Sequence, residues 1–444
     1  MVWHGPCLTP SCMALPTDHA ADEMKNFRQI DPMVPATVVC VSAKRVILIL
    51  KLVAATLSSG YGLMFALTAK LRDAYGLSSS MIGWIVGIGF FTAFAAQILV
   101  APMADRGHAR TLLVGGISCN VIGIAMMGAS SGALGLLGGR ALMGLGIGSA
   151  YPAIRRAIAL ADPANVGKNQ GGLLSYDVAG FLCGPAIAAL LVGPLGLRWP
   201  FLGIAAMIGM SIPFVAQIHL DERNADGSEA AAKLLAPSTT PRFAVGLLKL
   251  RWMQSACCYG VAFFVMIGVF DSLWALRIKD MHASYSYTTI GIIVFALPLV
   301  FLGERGGTFI ERRGPYLTGA AGLVAGAVFV TLYGTIAVPQ VLILIGVFHA
   351  VNDSYTASSA PLAVTLAAPA DQLAGAQGLL GGIQTLTGGL AAVGAASAYE
   401  SFGPVRAYGG ASIVMLAFIA LGWSRAGEYR SIRKRALLPH AVVV

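Results

Sequence analysis

The chain has 444 residues, 57% hydrophobic and only 11% charged, with a mean hydropathy of +0.75. A soluble domain carries roughly a quarter of its residues charged, so lipid must be the main solvent here. The formal net charge of +10 does not point to nucleic acid, because the basic residues are scattered over short segments between apolar runs, as in loops facing an anionic leaflet.

Residues 1–43 read as a cytoplasmic N-terminal tail. They contain no basic stretch followed by an apolar core, so they do not resemble a secretory signal, and Met24 or Met33 is an alternative start. Of the seven cysteines, Cys7, Cys12 and Cys40 fall in this leader and Cys119, Cys183, Cys257 and Cys258 in apolar segments. No pair has zinc-type spacing, and the adjacent Cys257 and Cys258 are unsuited to bridging, so no metal or disulfide is expected.

A bilayer core of about 30 Å needs about 20 apolar residues per helix. That ruler predicts spans near 46–68, 80–102, 112–131, 133–154, 170–193 and 199–219. A polar stretch follows, and then spans near 249–273, 285–303, 316–337, 339–362, 373–395 and 405–424. The expected organisation is a six-helix bundle over 44–219, a cytoplasmic loop over 220–248, a second bundle over 249–424 and a basic cytoplasmic tail over 425–444. With both termini inside, only Lys70, Arg72, Arg198, Arg277, Lys279 and Arg406 lie outside and Arg140 lies within a span. The rest of the 30 basic residues are cytoplasmic, as the positive-inside rule requires.

The halves repeat. Asp105-Arg106, between spans 2 and 3, is matched by Glu311-Arg312 between spans 8 and 9. Gln170-Gly171 opens span 5 as Gln377-Gly378 opens span 11, and Arg198 precedes span 6 as Arg406 precedes span 12. The offset stays between 206 and 208 residues, which indicates parallel repeats, each with an even number of spans.

These segments resemble the major facilitator superfamily. Asp105, Arg106 and Arg110 match its Gly-x-x-x-Asp-Arg-x-Gly-Arg-Arg loop, from which Ala101, His108 and Ala109 depart. Gly307, Glu311, Arg312 and Gly314 form a closer second copy. Arg140, Gly144 and Gly146 are similar to the fourth-helix Arg-x-x-x-Gly-x-Gly pattern. Gly180, Gly184 and Pro185 are similar to the fifth-helix motif of antiporters, with Ala188-Ala189 in place of its closing glycines. The resemblance covers about 44–425 and is nearest the twelve-helix drug:proton antiporter branch. It implies an all-α integral membrane protein of twelve transmembrane helices in two pseudo-symmetric six-helix bundles. It also implies a cytoplasmic latch at the two acid-Arg loops and a hinge or seal at the glycines of span 5.

Charges inside spans are costly unless paired or hydrated, and they mark the candidate site. Span 10 places His349, Asn352 and Asp353 at i, i+3 and i+4 on one face, with Asp353 the first choice as proton carrier and His349 its partner. Asp271 in span 7 and Asp177 in span 5 are further coupling candidates, although Asp271 is equally explained by snorkelling toward water at the outer interface and Asp177 has the alternative of pairing with a basic group on a neighbouring helix. Tyr61, Arg140, Trp274, Asn352 and Gln384 are candidates for the substrate cavity, with Met64, Met143 and Met266 as adaptable apolar walls. Span 1 carries no acidic residue, unlike many proton antiporters.

The expected function is secondary transport of a small organic molecule by alternating access, as proton-coupled export; import by a proton symporter or facilitator is the alternative. No Walker loop, His-Glu-x-x-His or supported Gly-x-Ser-x-Gly elbow is present, so the chain does not read as an enzyme. It needs no cofactor, and a proton gradient is the expected energy source. The expected partners are the substrate, protons and the bilayer of a cell membrane, with the protein a monomer.

Overall fold

Helices account for nearly all of the described chain, as burial of the backbone in lipid demands. The computed structural model describes residues 43–218, 244–283 and 285–431. Most of the two predicted tails and of the central loop, the leader cysteines and Met24 and Met33 lie outside the described residues. In chain order the helices are α1 (Ala43–Tyr75), α2 (Ser79–Leu99), α3 (Ala109–Ala129), α4 (Ala133–Ala161), α5 (Val166–Leu195), α6 (Trp199–Gly209) and α7 (Ser211–Ala216). They continue with α8 (Arg251–Asp280), α9 (Tyr285–Arg313), α10 (Pro315–Thr335), α11 (Pro339–Ser354), α12 (Ser359–Ala367) and α13 (Leu373–Ala426).

Among the described residues ten helical stretches are long and apolar enough to cross a membrane. Two departures relate this count to the spans predicted from sequence. The 54-residue α13 is two helices joined at Gly403, whose φ of 78° and ψ of 174° are not helical, so it covers predicted spans 11 and 12. Predicted span 10 is not continuous. α11 stops after 16 residues at Ser354 and α12 resumes at Ser359, so the reading of 339–362 as one unbroken helix is corrected. Ser354, Thr356, Ser358 and Ser359 crowd the break. Asp353 O accepts the N–H groups of Thr356 and Ala357 at 3.0 and 2.8 Å, turning the chain where the helix ladder ends.

Glycine ends several segments at repeat-related places. Gly107 and Gly314 have φ of 84° and 98°, and Gly196 and Gly403 have 89° and 78°. Both pairs are 207 residues apart, and these are conformations that side-chain-bearing residues seldom adopt. Proline then opens the next helix of α6 at Pro200, of α10 at Pro315 and of α11 at Pro339, where its missing N–H has no partner to lose.

The buried apolar residues fall mainly into two clusters. One runs from Leu50 to Val215, and the other is built almost wholly from residues after 247, among them Tyr259, Tyr316, Tyr333 and Tyr408. Two small clusters lie between the halves. In one, Ala104, Ala109, Leu112 and Ala153 meet Ala374; in the other, Phe295, Leu299 and Ala350 meet Leu174 and Val178.

Candidate transport pathway and its latch

The halves meet along two seams, α5 against α9 and α2 against the start of α13, and the repeat governs both. A methyl group on Gly171 would collide with the carbonyl of Gly303, and one on Gly378 with the carbonyl of Gln97. Gly378 lies 207 residues after Gly171 and Gln97 lies 206 before Gly303, so the repeat exchanges the two members of the pair. Without a Cβ, backbone rests on backbone, as small residues allow in lipid-buried helices. Gly167 and Gly307 make the same approach one turn nearer the helix ends.

At that end each half places a carboxylate on the first turn of a helix in the other. Asp105 accepts the N–H of Ala374 at Oδ1 (2.9 Å) and of Gly375 at Oδ2 (2.7 Å). Glu311 Oε2 accepts the N–H of Gly167 at 2.9 Å. These N–H groups have no partner within their own helices, and the positive end of the helix dipole favours an anion there. The acid-Arg loops thus form a reciprocal clamp.

The sequence left the partners of the acids unnamed. Asp105 is buried in the short 3-10 helix Ala101–Arg106 and its Oδ1 takes the Nε–H of Arg156 in α4 at 3.0 Å. Arg110 donates to the carbonyl of Ala216. Arg106 and Arg312 are exposed, and Gly314 ends α9 in its positive-φ conformation. A second tie was not foreseen. Lys51 Nζ of α1 meets Glu304 Oε1 of α9 at 2.8 Å, with the lysine side chain only 7% exposed. A lysine inside the first apolar run was the available signal; its partner lies 253 residues away.

Gln170 and Gln377 support these seams from within each half. Gln170 Nε2 donates to Arg155 O at 3.4 Å and Gln377 Nε2 to Pro361 O at 2.8 Å, again 206 to 207 residues apart. At the opposite end of the α2–α13 seam the helices part around an apolar cavity of ≈590 Å³, lined by Trp84, Phe90, Phe91, Leu386 and Val393 among others.

Within the N-terminal half, polar groups form a column across α1, α4 and α5. Asp177 Oδ1 accepts hydrogen bonds from Ser58 and Tyr151, and Ser58 Oγ lies 2.7 Å from Tyr151 Oη. Arg155 follows one turn after Tyr151 and donates to Gln170 Oε1 at 3.2 Å. One turn from Ser58, Tyr61 carries the Arg140 guanidinium over its ring at 4.1 Å. Arg140 is 1% exposed, and its Nε and Nη1 have no hydrogen-bond partner among the described residues. Neither Ser58 nor Tyr151 was singled out from sequence, since hydroxyls on apolar helices are too common to be a signal. Gly180 and Gly184 seat α5 directly on the α1 backbone at Ala55 and Ser59, and Pro185 packs on Gly62.

The span-10 trio sits differently. His349 and Asp353 are each 1% exposed and 3.6 Å apart. His349 Nδ1 is 2.9 Å from Tyr333 Oη and its Nε2 is 3.1 Å from Met266 Sδ, while the ring lies against Phe295 and Phe329. Asn352 donates to Gly322 O at 3.0 Å, and Asp353 Oδ2 has no partner among the described residues. Every partner named here belongs to the C-terminal half. Trp274, expected at the cavity, is 3% exposed and packs on Phe270, Tyr333 and Gly291 of the same half. Gln384 is buried beside Gly260, and Met64, Met143 and Met266 are buried too, which makes them bundle core and not wall. Asp271 is exposed on α8. Its neighbour one turn back, Gly268, packs on Gly388.

The profile of the Major Facilitator Superfamily matches residues 49–392. Among solved structures the chain is similar to the human organic anion transporter MFSD10 (TETRAN), at TM-score 0.65 and 17% identity over 86% of this chain and 99% of that one. It is also similar to the proton:xylose symporter XylE bound to 6-bromo-6-deoxy-D-glucose, at TM-score 0.71 and 14% identity over 86% and 95%. FucP in the outward conformation matches at TM-score 0.65 and 13% identity over 86% and 97%. At such identities these structures share the fold, and no curated protein matches the sequence. With a profile spanning most of the chain, a repeat that governs both seams and transporter structures that superpose on nearly their full length, the chain belongs to the Major Facilitator Superfamily, as a multi-pass membrane protein whose fold implies secondary transport of a small molecule.

Proposed function

We propose that the protein exports a small organic molecule in exchange for protons, by alternating access, with the Asp105–Glu311 end of the bundle facing the cytoplasm. The observation that carries the coupling is Asp177, a carboxylate on α5 held by hydroxyls of α1 and α4. Proton uptake there removes an anion from a three-helix junction two residues along α5 from Ser175, whose Oγ donates to Leu299 O across the α5–α9 seam at 3.1 Å. Protonation therefore bears on whether that seam stays closed. Asp177 is less enclosed than Asp353 and its hydrogen bonds join three helices, which favours Asp177 as the proton-exchanging group and leaves Asp353 second.

Export is favoured by the likeness of Gly180, Gly184 and Pro185 to the antiporter motif and by a closed cytoplasmic seam with a cavity at the other end. The unpaired nitrogens of Arg140 favour a substrate with an anionic group, in keeping with the organic anion transporter among the similar folds. Uptake of labelled organic acids into everted vesicles, with and without an inward-acid gradient, tests the reading. Gradient-driven accumulation that Asp177→Asn abolishes supports it. Accumulation only in right-side-out vesicles assigns import instead, and accumulation indifferent to pH removes the proton.

A further inference from the structure

The rim where α1, α5 and α9 end carries more positive charge than its carboxylates balance. Two cavities of ≈260 and ≈420 Å³ open there and share Lys168 and Glu304 in their walls. Lys44 and Lys51 contribute from α1, and Arg305 and Arg312 from α9. Both acids in the walls are already engaged. Glu304 is bound to Lys51, and Asp162 accepts the side-chain amides of Asn165 and Asn169 at 3.0–3.1 Å. Lys44, Lys168, Arg305 and Arg312 are exposed, and none has a carboxylate within 4.0 Å among the described residues.

Position decides which anion suits them. Lys44, Lys168 and Arg312 stand in the first or last turn of their helices, at the level where an apolar span meets headgroups. One turn along α1 from Lys44 and along α9 from Arg312, Leu48 and Phe309 are 46% and 40% exposed, and Leu52, a turn beyond Leu48, is 48% exposed. A free phosphate would satisfy the cations and leave that apolar flank bare. A phospholipid covers both.

We propose that this rim is a specific site for the phosphate of an anionic phospholipid headgroup, bound at once by Lys168 of the N-terminal half and Arg305 of the C-terminal half. Such a lipid ties the halves together beside the Lys51–Glu304 pair. The inference is independent of the direction and coupling of transport.

The test uses the full chain, purified in detergent and titrated with phosphatidylglycerol, with phosphatidylcholine of the same acyl chains, or with inorganic phosphate. Bound lipid is read by native mass spectrometry and the melting temperature by intrinsic fluorescence. Phosphatidylglycerol alone should be retained and raise the melting temperature. Lys168→Gln and Arg305→Gln should each lower the bound fraction about fivefold, the scale of one basic residue at a membrane surface. Lys70→Gln, the same charge loss at the other end of α1, should bind as wild type, and Lys168→Arg should retain the lipid. An unchanged melting temperature in phosphatidylcholine shows that the variants fold. The proposal is overturned if phosphatidylcholine binds equally, if inorganic phosphate reproduces the shift, if both glutamine variants retain the lipid, or if Lys70→Gln loses it as well.

Discussion

Asp105 and Gly375 are 270 residues apart, yet Oδ2 of the first accepts the N–H of the second at 2.7 Å. The same carboxylate neutralises Arg156, with both side chains under 5% exposed. Removing it breaks a buried ion pair from one side, a change that costs about 3–5 kcal/mol. Asp105→Ala should therefore lower stability as well as transport. Asp105→Asn keeps the shape and loses the charge-assisted bonds, worth ~1.5–3 kcal/mol each, and should shift the seam toward its open form. If the halves rock apart as bodies both seams open together, so alkylation of Ser175→Cys on the companion α5–α9 seam, placed in a cysteine-free background, reads that shift. Equal labelling with and without Asp105→Asn would show that the clamp does not hold the seam.

The seam glycines supply a sharper contrast. Gly171→Ala drives a methyl group into the Gly303 carbonyl, whereas Gly193, on the same helix, has nothing within 4 Å of its Cβ position. Gly171→Ala should abolish transport while Gly193→Ala leaves it unchanged, with comparable expression of both. Labelling of Ser175→Cys should rise in the first variant only.

Lys51 and Glu304 form the other tie across the halves. Lys51→Gln and Glu304→Gln should each reduce transport. In the charge-swapped pair Lys51→Glu with Glu304→Lys, part of the loss should return, because the attraction survives exchange of its partners while each residue's separate surroundings do not. A double-mutant cycle in transport rate measures the coupling, expected at about 1 kcal/mol or more for a pair with one buried member. Strict additivity would mean that the pair is incidental.

Ser58 and Tyr151 should act through Asp177. Tyr151→Phe and Ser58→Ala should each displace the pH profile of transport while leaving exchange of labelled for unlabelled substrate largely intact. Asp177→Asn should abolish the pH dependence and keep exchange. Loss of exchange in all three would reassign the cluster to the fold.

The positive-φ glycines should differ in what they tolerate. Gly107 sits at φ 84° and ψ 11°, the left-handed region that asparagine tolerates, whereas Gly403 sits at φ 78° and ψ 174°, which is essentially glycine-only. Gly107→Asn should melt near wild type. Gly403→Asn should lose roughly 1–3 kcal/mol, read as a lower melting temperature in detergent.

Sequence alone determined the solvent, the helical class, the approximate extents of most spans and the repeat. Those follow from local quantities: hydropathy over 20 residues, and the spacing of Asp105 from Glu311 or Gln170 from Gln377. It also marked both acids of the latch. It could not choose their partners, because Ala374 and Glu304 come near Asp105 and Lys51 only after the halves close on one another, and Arg156 meets Asp105 only once α4 packs within its own half. The break after Ser354 was foreshadowed by hydroxyl residues inside a predicted span, but an apolar average hides four turn residues. Which face of a helix looks inward was likewise beyond reach, since lipid and protein core are equally apolar and periodicity fades. Tertiary packing therefore decided that His349, Asp353 and Trp274 turn into their own half. It decided too that Asp177 joins Ser58 and Tyr151, because only a packed neighbour can say where a buried polar group finds its hydrogen bonds.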